Sequence, residues 1–160
     1  MIPGKIIRFL EQQASVGFAG TRDRQLVPTG HRVCGWQVGE GGRTLTAFIG
    51  ERSAAQFIDA MLDNGQVAVT FEEVGSLETY QLKGRYLSHT PVEPGHHDIT
   101  NRARERFVNG LRALYMNDQI ADLFRASIPP PSVAIQIEVH EVFLQTPGPG
   151  AGSRISPPEA

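Results

Sequence analysis

The chain has 160 residues, 40% of them hydrophobic, and a formal net charge of -2, which fits one globular domain with a sizeable core. Thirteen Arg and two Lys are scattered among seventeen acids, so no basic face of the size nucleic-acid binding requires is present. One cysteine, Cys34, excludes an internal disulfide and any multi-thiolate metal site, and no run of about 18 apolar residues is available to span a bilayer. The opening Met1-Ile2-Pro3-Gly4-Lys5 is too polar for a signal peptide. The expectation is a cytoplasmic protein with small-molecule or protein partners, and with neither nucleic acid nor a membrane among them.

Residues 3–13 put Ile6, Ile7, Phe9 and Leu10 near helical spacing behind Pro3, where a missing amide hydrogen costs little. Strands are predicted over 15–20, over 26–38 with an interruption near Pro28 and Gly30, and over 44–49, with Gly39-Glu40-Gly41-Gly42 as a hairpin turn. Residues 51–63 then place Ala54, Ala55, Phe57, Ile58, Met61 and Leu62 on one broad stripe, and Asn64-Gly65 supplies a stop. Alternation resumes over 66–72 and 78–88. The pattern changes between Pro91 and Pro94, and residues 98–126 carry two helices broken near Met116-Asn117-Asp118, starting close to His97. Pro129 to Pro131 end them. A final strand over 133–144 alternates Val133, Ile135, Ile137 and Val139 with polar residues and is long enough to cross a barrel.

The Pro, Gly and Ser-rich tail from Pro147 onward has too few apolar residues for a core, so it is expected to be loosely held or wrapped on the surface. The domain is therefore read as 1–146 with a tail of 147–160. Six strands with one crossover helix among them, and a helical insertion before the last strand, predict a mainly β (α+β) antiparallel barrel. Pattern alone leaves an open sandwich as the other solution.

The stretch Gly50-Glu51-Arg52-Ser53 stands at the mouth of the crossover helix. A helix N-terminus offers unpaired amides and the positive end of the backbone dipole, and an Arg beside a Ser adds a two-pronged cation and a hydroxyl, which together suit a phosphate. The plainer reading is that Glu51 favours the dipole, Ser53 starts the helix and Arg52 is solvated.

The order strand, "GERSAAQ", helix, Asn-Gly, "QVAVTF", then "TYQLKGR" resembles the FMN-binding split-barrel superfamily of pyridoxamine 5'-phosphate oxidase over residues 3–87. The resemblance implies an antiparallel split β-barrel and an FMN phosphate received at Gly50, Arg52 and Ser53. It also implies that "HRVCGW" contributes Arg32 and the backbone of Val33 and Cys34. Thr46 and Ala47, with Thr79 or Gln81, would border the ring and ribityl chain. The family builds its flavin slot between two subunits, so a homodimer with the cofactor at the interface is implied. The phrase "FLQTPGPGAG" at 143–152 is similar to a bacterial subset described only as pyridoxamine 5'-phosphate oxidase family proteins. Two departures stand out. The chain's end lacks the family's Arg-x-His pair and tryptophan-containing segment, Trp36 being the only Trp, which argues against pyridoxamine phosphate oxidation. Ser53 stands where the helix mouth commonly carries a lysine, removing one cation.

Other constellations are poorer. His31, His89, His96, His97 and His140 show no metal spacing, and His96-His97 is read on a Pro-Gly turn. His89 is a candidate haem ligand by likeness to split-barrel proteins that bind or degrade haem, and otherwise an exposed loop residue. Cys34 reads as packed rather than reactive, and "RARERF" at 102–107 as a solvated or intersubunit face rather than a nucleic-acid contact. Trp36 and Phe48 fit either the core or a flavin slot. Two classes remain: an FMN-dependent oxidoreductase on a small molecule, in which no side chain need be a nucleophile, or a non-catalytic or haem-binding split barrel.

Overall fold

The computed structural model describes residues 1–114 and 117–155. Helix α1, Gly4–Gln12, follows Pro3 at φ -61° and buries Ile6, Phe9 and Leu10 on one face. Strands β1, Ser15–Arg22, and β2, Pro28–Val38, form the first hairpin, and a short 3-10 turn at Glu40–Gly42 leads to β3, Thr44–Ile49. Gly41 and Gly42 hold φ of 72° and 66° in that turn, a region open to glycine at little cost. Helix α2, Ala54–Asn64, ends at Gly65, whose φ of 73° and N–H to the Met61 carbonyl at 2.7 Å make a glycine C-cap. Strands β4, Gln66–Glu73, and β5, Thr79–Pro91, precede α3, Pro94–Ala113, α4, Asp118–Ser127, and β6, Val133–Leu144.

The six strands close an antiparallel barrel in the order β1-β2-β3-β6-β5-β4. This is the α+β barrel with a crossover helix and helical insertion that the pattern predicts. The length of β6 lets it pair with both β3 and β5. At Gly84 the β5–β6 register shifts, and a Cβ there would lie 1.8 Å from the Glu138 carbonyl oxygen, so only glycine closes the sheet at that point.

Inward residues such as Val69, Phe71, Leu82, Ile137 and Val142 meet the two helices inside the barrel. At one end the Trp36 indole N–H donates to the Leu10 carbonyl at 2.8 Å, and Phe9 meets Tyr80 edge to face at 4.9 Å. At the other end Phe57 and Met61 of α2 are fully buried, each stabilising by about 1.5–3 kcal/mol. Trp36 and Phe48, at 7% and 0% exposure, are packed residues. A second core lies outside the barrel, where α3 and α4 bury Cys34, Phe107, Val108, Leu111, Ala121 and Ile128.

Several boundaries differ from expectation for local reasons. α3 begins at Pro94 rather than near His97, because proline occupies the first turn and Glu93 and His96 exchange capping hydrogen bonds. His96 and His97 thus sit on the first turn of a helix. α2 begins three residues later than Glu51, since Ser53 adopts the left-handed φ of 63°. β5 runs on to Pro91. The break predicted at Met116-Asn117-Asp118 falls where α4 starts, Asn117 capping it by accepting from the Ile120 N–H; Met116 itself lies outside the described residues. In the tail, Leu144 and Ile155 donate backbone hydrogen bonds to Ser153 and Val142, so residues 152–155 run back along β6. No helix among the described residues is long and apolar enough to cross a membrane.

Candidate functional site

The chain leaves β3 at Gly50, where a Cβ would lie 2.8 Å from the Pro129 ring, so the proline run packs directly against the mouth of α2. The Glu51–Ser53 turn closes through the Ala54 N–H to the Glu51 carbonyl at 3.0 Å. Ser53 makes no side-chain cap, and both it and Arg52 are exposed. His31 holds this turn to β2. Its Nε2 lies 2.7 Å from the Arg52 carbonyl and its Nδ1 lies 2.9 Å from the Arg32 carbonyl, while the ring meets Phe57 at 5.9 Å. Carbonyl oxygens only accept, so the ring makes both bonds together only when both nitrogens carry a proton. The main-chain carbonyls of Arg32 and Arg52 therefore flank one imidazole.

Arg32 lies on the outer face of β2, with its guanidinium carbon 5.6 Å from the Phe107 ring of α3 and its Nε buried without a partner. Burial lowers its pKa from the ordinary value. Two residues on, Cys34 is sealed beneath α3. Burial pushes its thiol up to about 11, against the opposing pull of Arg32, Arg104 and the Gly50 amide. Burial thus holds it as a protonated thiol, the weakly nucleophilic form. The Arg104 Nε is likewise buried and unpartnered. Guanidiniums from β2 and α3 and the amide of Gly50 thus share one neighbourhood beside the α2 mouth.

The other predicted positions are spread around the barrel. Val33 and Ala47 point inward, at 4% and 1% exposure, leaving only their backbones for a ligand. Thr79 is buried and donates its hydroxyl to the Leu77 carbonyl at 2.8 Å. Thr46 pairs with Gln37 and Gln136, and Gln81 donates to the Thr70 hydroxyl at 3.0 Å and pairs with Phe143. Gln136 and Phe143 are seven residues apart along β6, so Thr46 and Gln81 stand about 23 Å apart along the strand direction. α3 also crosses the outer face of β2 between Arg32 and Gln37, close enough that a Cβ on Gly35 would lie 2.9 Å from the Thr100 Cα. β2 carries Arg32, and the turn that His31 ties to it through two main-chain carbonyls carries Arg52 and Ser53. Gln81 shares the Arg32–Phe18–Thr70 row three strands away, and Thr46 lies opposite Gln37, five residues past Arg32 on β2.

His31 was not among the residues the sequence singled out for this site. Its only sequence signal is its place directly before Arg32 in "HRVCGW". Elsewhere, the Tyr86 hydroxyl and His89 Nδ1 lie 2.6 Å apart, and His140 lies 3.0 Å from Glu138. No group of three potential metal ligands occurs among the described residues.

No family model matches the chain and no curated protein matches it. Solved structures do. HupZ of Group A Streptococcus is 14% identical with a TM-score of 0.55, covering 95% of this chain and all of its own. The fold is the pyridoxamine 5'-phosphate oxidase-like split barrel. An F420 reductase is 12% identical with a TM-score of 0.52, covering 89% of this chain and 98% of its own. A putative pyridoxamine 5'-phosphate oxidase from Lactobacillus delbrueckii is 10% identical with a TM-score of 0.51, covering 89% of this chain and 93% of its own. At these identities the likeness is one of fold.

Proposed function

We propose that this split barrel binds FMN at the mouth of α2 and acts as an oxidoreductase on a small molecule, as a homodimer in the cytoplasm. The observation that carries the reading is the Arg32 Nε left as a buried donor without a partner, on the strand that His31 ties through the Arg32 and Arg52 main-chain carbonyls to the turn before α2. A buried donor without a partner costs about 1–3 kcal/mol, and a phosphate accepting from this guanidinium offsets that cost. Arg52 supplies the second cation, and the first-turn amides of α2 face the same charge. Ser53 offers a hydroxyl in place of a further positive charge. Thr46 and Gln81 are half-buried on β3 and β5, and their separation in one chain fits a ring slot completed by a second copy. An F420 reductase and a putative oxidase on the same fold are in keeping with redox chemistry. When bound, FMN supplies the electron-accepting ring, and the chain's own residues hold its phosphate, orient it and shield it from water.

The test is to incubate the purified protein with FMN, desalt it and record the absorption spectrum, with sedimentation to give the subunit count. Retained flavin on a dimer is expected. Arg52→Ala should weaken FMN binding about tenfold or more, the worth of one charge-assisted hydrogen bond. Equal affinity in parent and variant by calorimetry removes the phosphate assignment.

A second reading has its own observation. The His89 Nδ1 is engaged by the Tyr86 hydroxyl at 2.6 Å, which fixes the ring and leaves Nε2 outward on exposed β5, an arrangement suited to an iron ligand held by a neighbouring group. A Soret band after haem addition, lost in His89→Ala, would shift the assignment to haem.

A further inference from the structure

A groove of about 1080 Å³ opens on the outer wall of the barrel, at the end where α2 finishes rather than where it starts. α2 has 11 residues, so its two ends are about 16 Å apart. The groove does not touch Arg32, Arg52 or Ser53.

Strand pairing fixes its floor. Gly30, Gly20, Ala68, Lys83 and Glu141 stand directly opposite one another across β2, β1, β4, β5 and β6. Strands are about 4.8 Å apart, so the three small residues make a strip without large side chains about 10 Å wide, the width of a fused aromatic ring. Gly20 and Gly30 have no packing reason to be glycine. A Cβ on Gly20 would meet nothing within 4 Å, and one on Gly30 only the Ala19 carbonyl oxygen at 3.7 Å, and neither residue has a positive φ. Glycine within a strand weakens it and marks a bulge, a barrel bend or a close approach by something else; the register runs unbroken through Gly20 and Gly30, so neither is a bulge.

Charge borders the strip. Arg22 stands two residues beyond Gly20 on β1, Arg85 two beyond Lys83 on β5, and all three cations line the groove. Among the described residues none of the three has a carboxylate partner. Arg22 reaches only the Asp23 carbonyl at 3.4 Å, and the Lys83 ammonium sits over the Phe143 ring at 4.4 Å. The one acid in the lining, Glu141, is occupied by Arg154 at 3.2 Å, and His140 by Glu138. Asn64 and Thr21 are hydrogen-bonded to each other at the rim.

We propose that this groove binds a planar aromatic anion of mononucleotide size, its ring on the Gly20–Gly30–Ala68 strip and its anionic group toward Arg22, Lys83 and Arg85. The volume matches that of small-molecule sites, and the cations suit a phosphate or carboxylate. The inference stands apart from the flavin reading of the α2 mouth.

Calorimetric titration of the full chain with adenosine 5'-monophosphate tests it. Saturable binding is expected in the parent. Gly20→Val should weaken that binding at least tenfold while leaving the thermal midpoint equal or higher, because the side chain rises into open space and suits a strand. The Lys83→Gln/Arg85→Gln pair should weaken it by about tenfold or more, and Arg52→Ala should leave it unchanged. A parent that takes no nucleotide, a Gly20→Val variant that binds as the parent does, or loss of binding in Arg52→Ala each overturns the proposal. So does a parent dimer that Gly20→Val converts to monomer, since a second copy would then occupy the groove.

Discussion

Arg32→Met separates a residue kept for a ligand from one kept for the fold. In the ligand-free protein the Arg32 guanidinium is half-buried, its Nε has no partner, and it lies 5.6 Å from the Phe107 ring. Removing an unsatisfied buried donor returns about 1–3 kcal/mol, and losing the cation–π contact costs about 0.5–2 kcal/mol. Methionine retains an apolar stem against the same ring, and its sulfur meets aromatics favourably. The two terms nearly cancel, so the variant should be within about 1 kcal/mol of the parent or more stable. FMN affinity should fall roughly ten- to a hundredfold, because a charge-assisted bond is worth about 1.5–3 kcal/mol. Urea denaturation followed by circular dichroism gives the first quantity and calorimetric titration the second. A variant destabilised by more than about 2 kcal/mol, with FMN binding intact, would refute the reasoning: Arg32 would then be part of the scaffold.

Other outcomes follow from particular contacts. Trp36→Phe removes the buried donor to the Leu10 carbonyl at the C-terminal end of α1 and should cost about 2–4 kcal/mol by denaturant unfolding, from an unpaired acceptor and a small cavity. Cys34 keeps its proton in the fold up to about 11 against 9.0 for a free thiol; its raised value gives stability that is whole below about pH 9 and lost as pH climbs toward 11. The fall in thermal midpoint across that window should be shallower in Cys34→Ala. Ser53→Gly should stabilise by roughly 1 kcal/mol, since Ser53 holds a left-handed φ of 63° without a capping bond. Gly84→Ala should abolish folding to the native barrel, judged by loss of the cooperative thermal transition, because its Cβ would fall on the Glu138 backbone.

The elements most legible in sequence were those with hard punctuation. The third and sixth strands match their expected limits, Thr44–Ile49 and Val133–Leu144, because glycines bracket one and a proline run precedes the other. α2 starts later than its apolar stripe predicts because one residue, Ser53, takes a conformation that side-chain type does not announce. α3 starts earlier than the pattern predicts because Pro94 reads equally as a breaker and as a first-turn residue, and the cap that decides is a Glu–His exchange rather than a Ser or Thr. In the candidate site, Arg52 and Ser53 were visible through their order before a helix. His31 was not, because its role depends on β2 lying beside the turn after β3, a contact between residues 21 apart. Thr46 and Gln81 were named from likeness to a fold, and only strand register reveals their separation.

Register also bears on where a ligand can go. The barrel interior is filled from both ends, by Phe9 and Leu10 of α1 and by Phe57 and Met61 of α2, so chemistry belongs on the outer surface. α3 covers β2 and packs against β1 there, with Thr100 and Phe107 over Gly35 and Arg32. The faces of β4 and β5, and of β1 from Phe18 onward, stay open, and Phe18, 52% exposed, lies between Arg32 and Thr70. A flat ring held only by Arg32 and the α2 mouth would have water on one side. A second copy bringing the outer faces of its own β3 and β5 would close that side and supply a Thr46 or Gln81 to the same ligand. Dimer formation and flavin retention should therefore rise and fall together: Phe18→Asp should dissociate the dimer and empty it of FMN, whereas a monomer that keeps flavin would show that the site is complete within one chain.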